Sequence, residues 1–138
     1  MARTALVYGH VPGGRTNFVK WVVGELRAGR RIRVVHDQWN TPTLADDLAA
    51  ALVQLAQREC DGVIHLSGPE LLSRAAWAAA IAAYYDLDAT LIDITSTREL
   101  NQVARRPLRS GLRTQRLADI RGVTFRDVRA GMVALAID

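Results

Sequence analysis

The 138-residue sequence has one cysteine, Cys60, and one lysine, Lys20. A lone cysteine excludes an internal disulfide and a thiolate metal cluster, and Cys60 reads as a small apolar residue at a helix end. Histidine is scarce as well. None of His10, His36 and His65 has another histidine or a cysteine at metal-ligand spacing, and no serine sits in a Gly-x-Ser-x-Gly elbow. Long apolar runs are also missing: the longest uncharged one, Ala75 to Tyr85, falls well short of the roughly 20 residues needed to span a bilayer. Met1-Ala2-Arg3 opens no signal-like segment. These absences predict a cytoplasmic protein with no metal site and neither a membrane nor a nucleic acid as partner.

What remains is the composition of a globular domain, 49% hydrophobic and 23% charged. A chain of this length buries roughly two-thirds of the surface its unfolded form exposes, enough for one core. The formal charge of +4 is carried almost wholly by arginine. Arginine favours bidentate contacts to phosphate or carboxylate, so an anionic partner and a set of solvated charged faces are both open at this point.

The apolar pattern alternates strands and helices. Ala5-Leu6-Val7-Tyr8, ended by Gly9, reads as a strand buried on both faces of a parallel sheet. Such a strand needs neighbours on both sides, so the expectation is a chain that begins within a sheet and pairs with a complementary half or with itself. Val19, Val22, Val23 and Leu26 mark a helix, capped by Thr16 or Asn17 and ended by Gly29. A strand over 31–36 follows. Thr43 and Asp46 approximate a capping box for a helix with Leu44, Leu48, Leu52 and Leu55 inward, and Asp46 and Asp47 suit that helix's N-terminal dipole. Val63 to Leu66 is a strand, and Ser73 caps an Ala-rich helix with Trp77, Ile81 and Tyr84 inward. Leu91 to Ile94 is another strand. Ser96 and Glu99 form a capping box, an arginine-rich loop runs over 104–113, Thr114 opens a short helix and Thr124 the last one, with Phe125, Val128, Met132 and Leu135 inward. The fold class read from this alternation is α/β with mostly parallel strands and flanking helices, in one unit over residues 1–138.

Gly9-His10-Val11-Pro12-Gly13-Gly14-Arg15-Thr16 lies between strand and helix and departs from the phosphate-binding loop pattern at one place, Arg15 for lysine. A guanidinium does not easily take the place of a compact ammonium there, and Pro12 removes a backbone donor. A reductase of the short-chain type would need a tyrosine four residues before a lysine, the lysine lowering the phenol pKa. Four residues before Lys20 stands Thr16. No Gly-x-Gly-x-x-Gly turn opens a dinucleotide site.

Several loops are more specific. Arg3-Thr4-Ala5-Leu6-Val7-Tyr8-Gly9, Asn17-Phe18-Val19, Asp37-Gln38-Trp39-Asn40-Thr41-Pro42-Thr43 with Ala45-Asp46-Asp47-Leu48-Ala49, Gly62 to Gly68, and Ala104-Arg105-Arg106-Pro107 with Ser110, Leu112, Thr114 and Leu117 resemble, in that order, the second half of dTDP-4-dehydrorhamnose reductases. The resemblance implies the Rossmann-type fold of an extended short-chain dehydrogenase/reductase. It implies that this chain is its C-terminal, substrate-binding portion and that the NAD(P)H-binding part, with the tyrosine and lysine, is absent. It puts Asn17, Gln38 and Thr43 on loops facing a dTDP-sugar type of nucleotide-sugar, and Arg105 or Arg106 near the diphosphate, where fork-shaped donors suit phosphate oxygens. The chain alone is then expected to bind no cofactor, to hold no catalytic residue and to turn nothing over. A non-catalytic regulatory module is the alternative, since the regulatory subunit of methionine adenosyltransferase resembles the same reductases; a phosphate-loop nucleotide-binding protein is a third. Asn40 stands where the family often has glycine, and asparagine tolerates a left-handed turn.

Overall fold

The computed structural model describes residues 1–10, 13–117, 120 and 122–135. In chain order the elements are β1 (Ala2–Arg3), β2 (Val7–Tyr8), α1 (Phe18–Arg27), β3 (Ile32–Val35), β4 (Trp39–Asn40), β5 (Thr43–Leu44), α2 (Ala45–Ala56), β6 (Ile64–His65), β7 (Leu72–Ser73), α3 (Arg74–Tyr84), β8 (Ile92–Thr95), α4 (Thr97–Leu100) and α5 (Val128–Leu135), with single 3-10 turns at Ala89–Leu91 and Gln115–Leu117. The pairs β1/β6, β2/β5 and β3/β8 are parallel, and β4/β7 is antiparallel. This is the expected α/β class.

The helices form where local chemistry favours them. The Asn17 side chain accepts the Lys20 N–H to open α1, whose Val19, Val22, Val23 and Leu26 are buried. Gly29, at φ +68°, follows its end. Ser73 opens α3 by accepting the Ala76 N–H. Its small residues Ala75, Ala78 and Ala82 are buried with Trp77 and Ile81, so that α1 and α5 pack on it closely. These helices, with Tyr8, Ile32, Val34 and Leu44, make the main core. A second cluster gathers Ala51, Ile64, Leu66 and Ile120 beneath α2.

Several expectations are corrected. The run Ala5 to Tyr8 is a strand only at β2, which β1 precedes, and is not buried on both faces: Val7 is 43% exposed and Leu6 stands at φ +45°, a turn that breaks the run. Thr43 does not cap α2. It belongs to β5, and the N-cap position falls to Leu44, with no side-chain bond. Leu52 and Tyr84 face outward, at 44% and 39% exposure. Cys60 is exposed beyond the end of α2. The last helix opens at Val128, with the Asp127 carboxylate accepting the Ala130 N–H. Asn40 is not in a left-handed turn; it lies in β4 and accepts the Ser110 hydroxyl at 2.6 Å. Pro12 lies outside the described residues.

Candidate functional site

Strand β4 joins three distant segments. On one edge it pairs with β7, Trp39 opposite Ser73, and the Gln38 carbonyl accepts the Arg74 N–H at 3.0 Å. On the other edge the arginine-rich loop is laced to it: the Trp39 N–H donates to Leu108 O at 2.8 Å and the Ser110 N–H to Trp39 O at 3.0 Å. The Leu112 N–H donates to Thr41 Oγ1 at 3.2 Å. The start of α3 and the arginine loop therefore flank Gln38, although neither is near it in sequence.

Beside β4 opens a cleft of about 430 Å³, walled by Phe18, Trp21, Arg33, Gln38, Arg74 and Arg106 among others. It shares Phe18 and Trp21 with a shallow recess at Thr16 and Asn17. Through Gln102 and Arg106 it continues into a depression under Arg105 and Pro107. Among the described residues no carboxylate lines the cleft. In the adjoining depression Asp37 spends its oxygens on the Thr97 N–H and hydroxyl. A second groove, about 540 Å³ between α3 and α5, is walled largely by Leu72, Ala80, Ala83, Tyr84, Val128 and Met132 and lacks convergent cations.

Arg74 is the least ordinary residue of the cleft. Its guanidinium is half-buried, lies 4.7 Å from the Phe18 ring centroid, and has its pKa drawn down by burial and then by the charge of Arg106. It is also the first residue of α3, where the helix dipole disfavours a cation and no acidic residue shares the first turn. Arg33 reaches Thr95 Oγ1 at 3.3 Å. Neither arginine figured in the sequence reading. The available signal was an arginine directly after a helix-capping serine.

The structure brings four of the five expected site residues to this connected surface and not the fifth. Gln38 is 6% exposed, and its amide donates to Thr97 Oγ1 at 3.0 Å and Gln102 Oε1 at 2.9 Å. Asn17 lines the recess and also donates to Gly9 O. Arg105 and Arg106 are exposed on their loop. Thr43 is corrected: it is fully buried, its hydroxyl donating to Ala5 O at 2.7 Å, lying 3.2 Å from Ser67 Oγ and accepting the Gly68 N–H at 3.3 Å. A residue so placed holds β5 in the interior and lies off the cleft surface.

A Cβ at Gly9 would stand 3.0 Å from that of Ala45, so this glycine serves the close packing of the β2 end on α2. Tyr8 is buried, its phenol pushed well above the ordinary 10.0 by burial and by Asp47, Glu70 and Asp127, the reverse of what a proton-exchanging tyrosine needs. No group of three or more metal-ligating side chains and no helix long and apolar enough to cross a membrane occurs among the described residues.

The family model described as RmlD substrate binding domain matches residues 1–137. The chain belongs to this family. It is 32% identical over 103 residues to the spore coat polysaccharide biosynthesis protein SpsK of Bacillus subtilis, covering 75% of this chain and 35% of that protein. It is 32% identical over 131 residues to a dTDP-4-dehydrorhamnose reductase of Sinorhizobium fredii, covering 88% of this chain and 43% of the relative. A dTDP-4-dehydrorhamnose reductase from Bacillus anthracis, solved in complex with NADP, superposes with a TM-score of 0.86 at 25% identity over 97% of this chain and 46% of its own. The RmlD-type chain thus has the fold of the Rossmann-type extended short-chain dehydrogenase/reductases. It spans less than half the length of these relatives.

Proposed function

We propose that residues 1–138 are a single substrate-facing unit of a dTDP-4-dehydrorhamnose reductase-like oxidoreductase, and that the unit binds a nucleotide-sugar of the dTDP type in the cleft beside β4. The observation that carries this reading is the acid-free cleft in which Gln38, Arg106 and further arginines meet the rings of Phe18 and Trp21. Guanidinium forks suit a diphosphate, the ring of Trp21 suits a base or sugar ring, since the faces of Phe18 are taken by Trp77 and Arg74, and the amide of Gln38 suits hydroxyl or carbonyl groups. Asn17 and Arg105 extend the contact at either end. On this reading NAD(P)H and the proton-exchanging tyrosine and lysine belong to the remainder of the enzyme, whether in the same polypeptide or in a complementary one. The chain by itself reduces nothing, and the protein works in the cytoplasm.

Calorimetric titration with a dTDP-sugar tests the proposal, with Arg106→Ala and Arg105→Ala compared to the unmutated chain. Saturable binding is expected, weakened about tenfold or more by Arg106→Ala, a factor equal to roughly 1.4 kcal/mol, and less by Arg105→Ala, which touches only the adjoining depression. Melting temperature should hardly change, because exposed arginines contribute little to folding. Normal affinity in both variants would overturn the assignment.

A further inference from the structure

Of the cleft's arginines, Arg74 is the one whose position is hardest to explain as a fold requirement. An arginine at a helix surface normally keeps its head in water or beside a carboxylate. Arg74 does neither: it is half-buried, no carboxylate pairs with it among the described residues, Arg106 shares its cleft, and its backbone sits at the positive end of α3. Each feature raises the cost of the cation, and together they leave the Arg74 charge uncompensated beside Arg106, in a cleft that Arg33 also lines.

The side chain is nevertheless held firmly. Ser73 caps the helix at Arg74, the Arg74 N–H is tied to the Gln38 carbonyl at 3.0 Å, and the guanidinium rests against the Phe18 ring. A fixed, partly desolvated guanidinium loses little freedom on meeting an anion, and a bound anion would cancel the repulsion and the unfavourable dipole together. The geometry points to Arg74 as the inner cationic anchor of a diphosphate seat, in the cleft that Arg33 and the loop residue Arg106 also line. This deepens, and in its nucleotide part rests on, the nucleotide-sugar reading above; the anion seat itself does not require it.

The experiment titrates the full chain with inorganic pyrophosphate, dTDP and thymidine, and repeats each titration on Arg74→Met and Arg74→Lys. Methionine keeps an unbranched stem against Phe18 while removing the charge, and lysine keeps the charge but loses the fork. Arg74→Met should weaken pyrophosphate and dTDP at least tenfold, leave thymidine unaffected, and melt at or above the temperature of the unmutated chain. Arg74→Lys should show a smaller loss of the same two ligands, and it carries the test should Arg74→Met fail to fold. Unchanged pyrophosphate affinity in the folded variants, or no saturable pyrophosphate binding by the unmutated chain, overturns the anchor. If dTDP-sugar binding depends on Arg106 but not on Arg74, the anchor fails while the nucleotide-sugar reading stands. If pyrophosphate binding depends on Arg74 but no dTDP-sugar competes for it, the anchor stands and that reading fails.

Discussion

The carboxylate of Asp37 accepts the backbone N–H of Thr97 at 3.0 and 3.1 Å and the Thr97 hydroxyl at 2.6 Å. This clamp joins the loop before β4 to the start of α4 and so holds Gln38, whose amide bonds the same threonine. The Thr97 hydroxyl foremost, with its backbone N–H, draws the Asp37 carboxyl below its ordinary 3.8. A depressed folded pKa stabilises the fold above the unfolded value and loses that contribution as pH falls through the folded value. Asp37→Asn should therefore melt lower than the unmutated chain at neutral pH, with the gap closing below about pH 4, near the unfolded carboxyl pKa. Parallel thermal melts from pH 7 to pH 2.5 check this; a gap independent of pH would mean that the charge is not what the clamp uses.

Thr43→Val separates a structural threonine from a ligand-facing one. The substitution keeps the shape but leaves the Ala5 carbonyl and the Gly68 N–H without the buried hydroxyl they share, at a cost of about 1–3 kcal/mol. Denaturant unfolding should report that loss, while pyrophosphate and dTDP affinities of the folded variant stay unchanged. Lost affinity at full stability would return Thr43 to the site.

Gly131 lies in α5 directly against the phenol of Tyr8, and a Cβ there would overlap the hydroxyl. Alanine ordinarily gains about 0.5–1 kcal/mol over glycine inside a helix, whereas overpacking a core costs about 1–3 kcal/mol. The clash should win, so Gly131→Ala lowers stability. Tyr8→Phe removes the atom met first, and the double variant should recover part of the loss, a coupling that a double-mutant cycle measures.

Calorimetry with NADPH should show no saturable binding to this chain, because its sequence holds no Gly-x-Gly-x-x-Gly turn and Lys20 has Thr16 where a tyrosine would be needed. Micromolar binding by a monodisperse sample would mean that the chain holds a dinucleotide site of a kind its glycines do not announce.

The sequence by itself determined several helix starts, one buried helix stripe and the family. The caps at Asn17 and Ser73, the Ser96–Glu99 box and the buried stripe Val19, Val22, Val23 and Leu26 all follow from bonds and spacings within one or two helical turns. The ordered loop motifs carried the resemblance that the family model matches over residues 1–137. Only the tertiary structure decided which polar residues line the cleft. Thr43 and Gln38 stand in the same loop motif, yet strand pairing with β2 buries the first hydroxyl while pairing of β4 with β7 brings Arg74 to the second. The direction of a side chain in a short strand depends on register with partners far along the chain, and a one-residue shift of register turns every side chain to the other face. Local spacing carries no record of that choice, and so Arg33 and Arg74 became visible as parts of one cleft only when the strands were in place.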